Sequence, residues 1–147
     1  FTVTAWIYLN DTTDRVIFSS GDSQTANKYF SIEMRGGRLW FGIFGNTSDL
    51  AGQTAIPANT WTHVTFTWEQ PAGQAQGTRR IYVNGALDAE DITSSLLNVQ
   101  TGAATGDGVW VGRGISGSFY NGRLDELRIY KRALPAWEVS KHYEAMN

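Results

Sequence analysis

The chain has 147 residues, no cysteine and a formal net charge of -2, a length that suits one domain with one core. The missing cysteines exclude a disulfide scaffold and thiolate metal sites but not secretion, and the mild acidity offers no basic field for nucleic acid. No run approaches the roughly 18 apolar residues of a membrane span, no leader peptide is visible, and 16 glycines against three prolines, among many Thr, Val and aromatic residues, predict an all-β chain with many turns.

Residues 1–9 alternate. Phe1, Val3, Ala5, Ile7 and Leu9 share one face, and Thr2, Thr4, Trp6 and Tyr8 the other, the signature of a half-buried strand. A polar turn follows at Asn10–Asp14, then a strand over Arg15–Ser20 closed by Gly21-Asp22. Lys28–Met34 alternates again, with Phe30, Ile32 and Met34 on one side. Arg35-Gly36-Gly37-Arg38 reads as a hairpin turn, because paired glycines supply positive φ. Leu39–Phe44 is the returning strand, and Gly45–Gly52 reads as a polar loop.

Ile56–Thr60 leads into a strand with Val64, Phe66 and Trp68 on one face and His63, Thr65 and Thr67 on the other. A loose Pro- and Gly-bearing loop spans Gln70–Thr78. Arg79–Val83, the tight turn Asn84-Gly85 and Ala86–Ile92 form the next hairpin. Thr93–Gly108 is the longest irregular stretch, and loops of that length are often functional. Val109–Arg113 is a short strand, Gly114–Ser118 a glycine loop, and Gly122–Tyr130 the last strand. Pro135 suits the first turn of a closing helix, in which the i,i+4 pair Val139 and Tyr143 can pack on the sheet. Many short strands with one terminal helix predict two antiparallel sheets packed face to face.

Gly122–Pro135, "GRLDELRIYKRALP", resembles the C-terminal motif of the bacterial laminin-G-like family, within the concanavalin A-like lectin/glucanase superfamily. "FTVTAWI" at Phe1–Ile7, "WTHVTFT" at Trp61–Thr67 and "IYVNG" at Ile81–Gly85 match the same family in the right order. The resemblance runs from Phe1 to about Val139 and implies a jelly roll, here a laminin-G-like domain over residues 1–147. It also implies an extra strand upstream of Phe1, supplied by preceding sequence or by a neighbouring chain.

In the last strand, unbroken alternation places Asp125 with Arg123, Leu127 and Ile129. A carboxylate on a core face must be hydrogen-bonded, neutralised or metal-bound. Asp22 stands in a turn like the family's "S-x-G-D", and relatives often carry a structural calcium. Asp22 and Asp125 are therefore the expected calcium ligands, with capping of backbone N–H groups by Asp125 as the alternative.

Pyranose rings stack on aromatic faces while polar groups fix their orientation. Trp40, Trp110 and Tyr120 are the expected stacking residues, Tyr82 being read as scaffold. Arg113, Asn121 and Arg128 are the expected hydrogen-bonding partners. Catalysis is not expected. Glycoside hydrolysis needs two positioned carboxylates, and no Glu-x-Asp-x-Glu pattern occurs. Asp88, Glu90 and Asp91 read as a solvated acidic turn, and His63 and His142 lack an evident Ser or Cys partner. Asn10-Asp11-Thr12 and Asn46-Thr47-Ser48 match the glycosylation sequon. The expected function is a non-catalytic extracellular or cell-surface module that binds carbohydrate or a protein ligand. The alternatives are a surface-fibre subunit assembled by a donated strand, and a glycan-active enzyme.

Overall fold

A computed structural model describes residues 1–147 except 23–24, 46–47, 95–96, 99–107, 115–117 and 146–147. Among the described residues the strands are β1 (Thr2–Leu9), β2 (Arg15–Gly21), β3 (Tyr29–Arg35), β4 (Arg38–Ile43), β5 (Leu50–Ala55), β6 (Trp61–Glu69), β7 (Gly77–Val83), β8 (Ala86–Thr93), β9 (Gly108–Val111) and β10 (Gly122–Tyr130). One helix, α1 (Ala136–Glu144), follows. Sheet A has the order β10-β1-β6-β7-β8 and sheet B the order β5-β4-β3-β2-β9. Every ladder is antiparallel. The fold is the expected two-sheet sandwich.

The inward alternation sets are the core. Val3, Ala5 and Ile7 of β1 and Val64 and Phe66 of β6 meet Phe30, Ile32, Leu39 and Phe41 of the facing sheet. Phe41 packs edge-on against Phe66 with ring centroids 6.1 Å apart, a favoured aromatic geometry. Arg79 of β7 is fully buried beside this core. Its guanidinium is held in a fork by Asp91 of β8 and donates to the carbonyls of Phe41 and Ser48, each at 3.1 Å. One side chain thereby ties sheet A to sheet B with its charge paired and its donors used.

Three expectations change. Leu50–Ala55 is a strand and not the end of a loop. One buried apolar residue, Leu50, gives it no periodic signal. It is held instead by Asp88 of β8, whose carboxylate accepts from the backbone N–H groups of Gln53 and Thr54, both at 2.9 Å. The supposed solvated acidic turn is likewise tied down, since Glu90 pairs with Arg80 and Asp91 with Arg79.

The second change concerns sheet A. The polar faces of β1 and β6 are buried, including Thr2, Thr4, His63, Thr65 and Thr67. The C-terminal segment covers them. Thr2 donates its hydroxyl hydrogen to the Arg132 carbonyl at 2.8 Å and accepts from the Leu134 N–H at 2.9 Å. Val139 of α1 and Leu134 are buried with Tyr82, and Tyr143 lies 5.8 Å from Trp6 and 6.0 Å from His63, centroid to centroid.

The third change is in β10. The ladder to β1 slips between Thr4 and Trp6, which face Arg128 and Asp125. Glu126 sits at φ 51° and is the extra residue of a bulge. The bulge reverses the alternation before it. Leu124 pairs with Ile7 on the core side, while Asp125 pairs with Trp6 on the outer side. Asp125 is exposed, and its Oδ1 accepts from the Glu126 N–H at 2.8 Å. It is not the inward carboxylate that unbroken alternation predicts.

Candidate ligand-binding face

Among the described residues sheet B carries no helix on its outer side. On β3, with Phe30, Ile32 and Met34 inward, alternation turns Tyr29, Ser31, Glu33 and Arg35 outward. The ladders place Trp110, Ser19, Ser31 and Gly42 side by side across β9, β2, β3 and β4. The next rung carries Glu33 and Trp40. Small residues on adjacent strands make a groove that crosses the strands, with larger side chains as its walls. Gly42 is part of that shape, because a Cβ there would stand 3.0 Å from Asp49 Oδ1 and 3.1 Å from Ser31 Oγ. Two adjoining depressions of about 360 and 280 Å³ lie on this face and share Tyr29, Glu33 and Arg35.

Arg35 organises the polar wall. Its Nε donates to Glu33 Oε2 and its Nη1 to Asp49 Oδ2, both at 2.7 Å. The hydrogen bond to Glu33, aided by that to Asp49, holds the Arg35 guanidinium above its ordinary range against the opposing effect of burial. The same guanidinium lies 5.3 Å from the Trp40 ring centre, and the Trp40 indole N–H donates to the Arg35 carbonyl at 3.2 Å. Both residues are thus set in place before any ligand arrives. Tyr29 is buried in the floor, and its phenol hydrogen-bonds with the Ser19 and Ser31 hydroxyls. Burial raises its pKa.

The far wall is Trp110. Arg113 stacks on its ring at 4.5 Å and on the exposed Phe119 ring at 5.9 Å. The Trp110 Nε1 is buried and has no hydrogen-bond partner among the described residues.

The structure therefore brings Trp40, Trp110 and Arg113 to one face. Tyr120, Asn121 and Arg128 are elsewhere. Tyr120 packs on the core and donates its hydroxyl to the Tyr8 carbonyl at 3.1 Å, with burial pushing its phenol pKa up. Asn121 accepts from Asn10 at 2.9 Å and donates to Asp11 at 2.7 Å, joining two turns. Arg128 faces α1, reaching Glu126 and, at 3.4 Å, His142. Tyr29, Ser31 and Glu33 were visible in the alternation of β3. Asp49 carried no signal, because its role comes from the turn into β5.

Asp22 and Asp125 do not share a site. Asp22 is buried just beyond β2 in sheet B, its N–H donating to the Lys28 carbonyl at 3.0 Å. Asp125 points away from that sheet, off the outer side of sheet A. Among the described residues no three His, Asp or Glu side chains converge to hold a metal ion. Residues 46–47 of the second sequon, most of the 93–108 stretch and 115–117 lie outside the described residues.

His63 lies behind the other sheet and has a different task. Thr4 Oγ1 donates to the Val64 carbonyl at 3.2 Å and accepts from Thr65 Oγ1 at 2.8 Å. Its single hydrogen is used, so His63 Nε2, 2.9 Å away, carries the proton and donates. Burial, with help from His142 and Arg128, lowers the His63 pKa to about 4. Its Nδ1 is buried without a hydrogen-bond partner among the described residues, and the ring serves the packing of this face.

Comparison with known proteins agrees with this fold. Human adhesion G-protein coupled receptor D1 is 25% identical over 133 residues, which is 89% of this chain and 15% of the receptor. The bovine receptor is 26% identical over 129 residues, 86% of this chain and 13% of the receptor. The chain thus spans about one seventh of these relatives. A candidate carbohydrate-binding protein of Bacteroides ovatus superposes with a TM-score of 0.74 at 18% identity, covering 95% of this chain and 39% of that one. Mouse laminin α1 domains LG4-5 superpose with a TM-score of 0.62 at 12% identity, over 92% of this chain and 36% of that one. At such identities the solved structures speak for the fold alone. The family profile matches residues 1–140. The chain belongs to the Laminin G 3 family of the concanavalin A-like lectin/glucanases superfamily.

Proposed function

We propose that this chain is a non-catalytic extracellular recognition module that binds glycan in the groove across sheet B. The observation that carries the reading is the row Ser19–Ser31–Gly42, a low floor with Trp40 and Trp110 beside it. Three strand spacings separate β4 from β9, roughly 14 Å at about 4.8 Å each, which suits an oligosaccharide better than one ring. The candidate carbohydrate-binding protein of Bacteroides ovatus supports the ligand class. Laminin and the adhesion receptors support an extracellular setting. Catalysis is disfavoured because, of the carboxylates lining the groove, Glu33 and Asp49 are joined to Arg35 and Asp14 accepts from the Gly36 N–H. No carboxyl group there is set apart to protonate a leaving group.

A glycan array with the wild type, Trp40→Ala and Trp110→Ala tests the reading. The expected result is binding by the wild type, lost in both variants while their melting temperatures stay within a few degrees of it. Binding that survives both substitutions overturns the groove.

A second reading has its own observation. β10 and β9 are edge strands on the same flank, since β8 packs across from β5 on the other. Val109, Val111 and Ile129 are exposed there. An edge with exposed apolar residues is a template for strand addition, and one-directional addition between copies builds a filament. Size-exclusion chromatography with light scattering checks this: concentration-dependent oligomers support it, and a monomer at all concentrations removes it.

A further inference from the structure

Resting on the glycan reading, the groove's charges and free acceptors go one step further. We propose that the groove selects uncharged, hydroxyl-rich glycans and excludes sialylated, sulfated or uronate-bearing ones. The two depressions are lined by three carboxylates, Asp14, Glu33 and Asp49, against two guanidinium groups, Arg15 and Arg35. The two depressions are thus net negative by one charge, with Arg113 lying outside them beside Trp110. The positive groups are also engaged. Arg35 gives its Nε and Nη1 to Glu33 and Asp49, and Arg15 donates to the Asp14 carbonyl at 2.7 Å.

The carboxylates are only half used. Glu33 accepts through Oε2 and Asp49 through Oδ2, which leaves Glu33 Oε1 and Asp49 Oδ1 without donors among the described residues. Asp49 Oδ1 lies over Gly42, at the groove floor. An ionised carboxylate oxygen is an acceptor only, and its hydrogen bond from a hydroxyl is charge-assisted. A sugar ring supplies such hydroxyls from neighbouring carbons. A second anion in the same place would face two carboxylates of its own sign across a partly desolvated gap, where Coulomb repulsion is weakly screened. Selection of this kind works by repelling the wrong ligand as much as by holding the right one. Arg113 is the opposing feature. It stacks on Trp110 at the rim and makes no ion pair among the described residues, so it is the group through which an anionic sugar would have to bind.

The experiment measures affinity for neutral oligosaccharides (glucose-, mannose- and xylose-based) alongside sialyllactose and a heparin oligosaccharide, at low and physiological salt. Expected are binding of at least one neutral series, unchanged by salt, and binding of the anionic probes at least tenfold weaker at both salt concentrations. Glu33→Gln and Asp49→Asn keep the shape of the wall and should each weaken the neutral ligand about tenfold. They should narrow the gap to the anionic probes. Anionic probes that bind better than neutral ones, lose affinity in salt and are abolished by Arg113→Gln overturn the selectivity while leaving the groove intact. Silence of every probe overturns the glycan reading, and this inference with it.

Discussion

The two outer faces of the sandwich begin from the same pattern and end differently. Outward positions on β1 and β6 are mostly Thr, Trp, Tyr and His, and those on β3 are Tyr, Ser, Glu and Arg. The first face is sealed under Leu134 and α1; the hydroxyls of Thr2, Thr4 and Thr65 are taken up by one another, by His63 and by backbone, while Thr67 Oγ1, Trp6 Nε1 and His63 Nδ1 are buried without a partner among the described residues. The second stays open, with its polar groups joined to each other and several acceptor atoms left over. Polar alternation therefore marks a face that the opposite sheet does not cover. Whether solvent, a ligand or a helix covers it depends on whether later chain returns to it.

The contrast is sharpest where the lid is removed. Val139→Asp puts a charge into the contact between α1 and sheet A, where Val139 is 0% exposed. An uncompensated buried charge costs about 3–5 kcal/mol, so urea titration should show a loss of that order. Trp40 and Trp110 variants should show far less.

Acid should separate the faces next. The His63 pKa, about 4, lies below its ordinary 6.5, so the unfolded chain takes up the proton first. The stability linked to His63 is complete above about pH 6.5, falls as pH drops, and is gone below about pH 4, a loss of about 3 kcal/mol. Melting curves from pH 7 to pH 4 should show the gap between wild type and His63→Gln narrowing over that window. A constant gap would mean that His63 is hydrated behind α1. The groups that act on it or pack against it are Arg128, His142 and Tyr143, none of them a carboxylate.

On the open face, Trp110→Ala should cost no more than about 1 kcal/mol of stability, because the residue is only half-buried and its indole N–H has no partner among the described residues. Its loss should appear in glycan affinity. A variant that unfolds would make Trp110 part of the core and close the open face as a site.

The smallest effect should come from Asp125→Ala. The carboxylate is exposed and, among the described residues, makes one local hydrogen bond, accepting from the Glu126 N–H, so the expected change is within about 0.5 kcal/mol. Chelator should leave the melting temperatures of wild type and variant equally unmoved. A fall in the wild type alone would restore a metal to Asp125.

Most strands, and the inward half of each, were legible because a period of two is hard to mistake where one face is apolar. β5 was not, since backbone bonds to Asp88 hold it and leave no mark on its own residues. The place of Asp125 was lost at Glu126, where one residue in a left-handed conformation shifts the parity of everything before it. Trp40 and Trp110 could each be assigned to an outer face by their neighbours. That they flank one groove depends on β9 pairing with β2, about 90 residues away in sequence, and no local pattern encodes such a partner.

Arg79 carries a consequence for recognition. It belongs to β7, on the sheet that takes no part in the groove, yet it holds the carbonyl of Ser48, and the next residue is Asp49. The position of one of the two acceptors above the floor is therefore fixed from behind, by a guanidinium that no ligand can touch. A lysine at 79 would keep the charge and surrender the planar fork. The domain could still fold, but the turn bearing Asp49 would lose its anchor, and sugar affinity would fall through a residue on the far side of the sandwich.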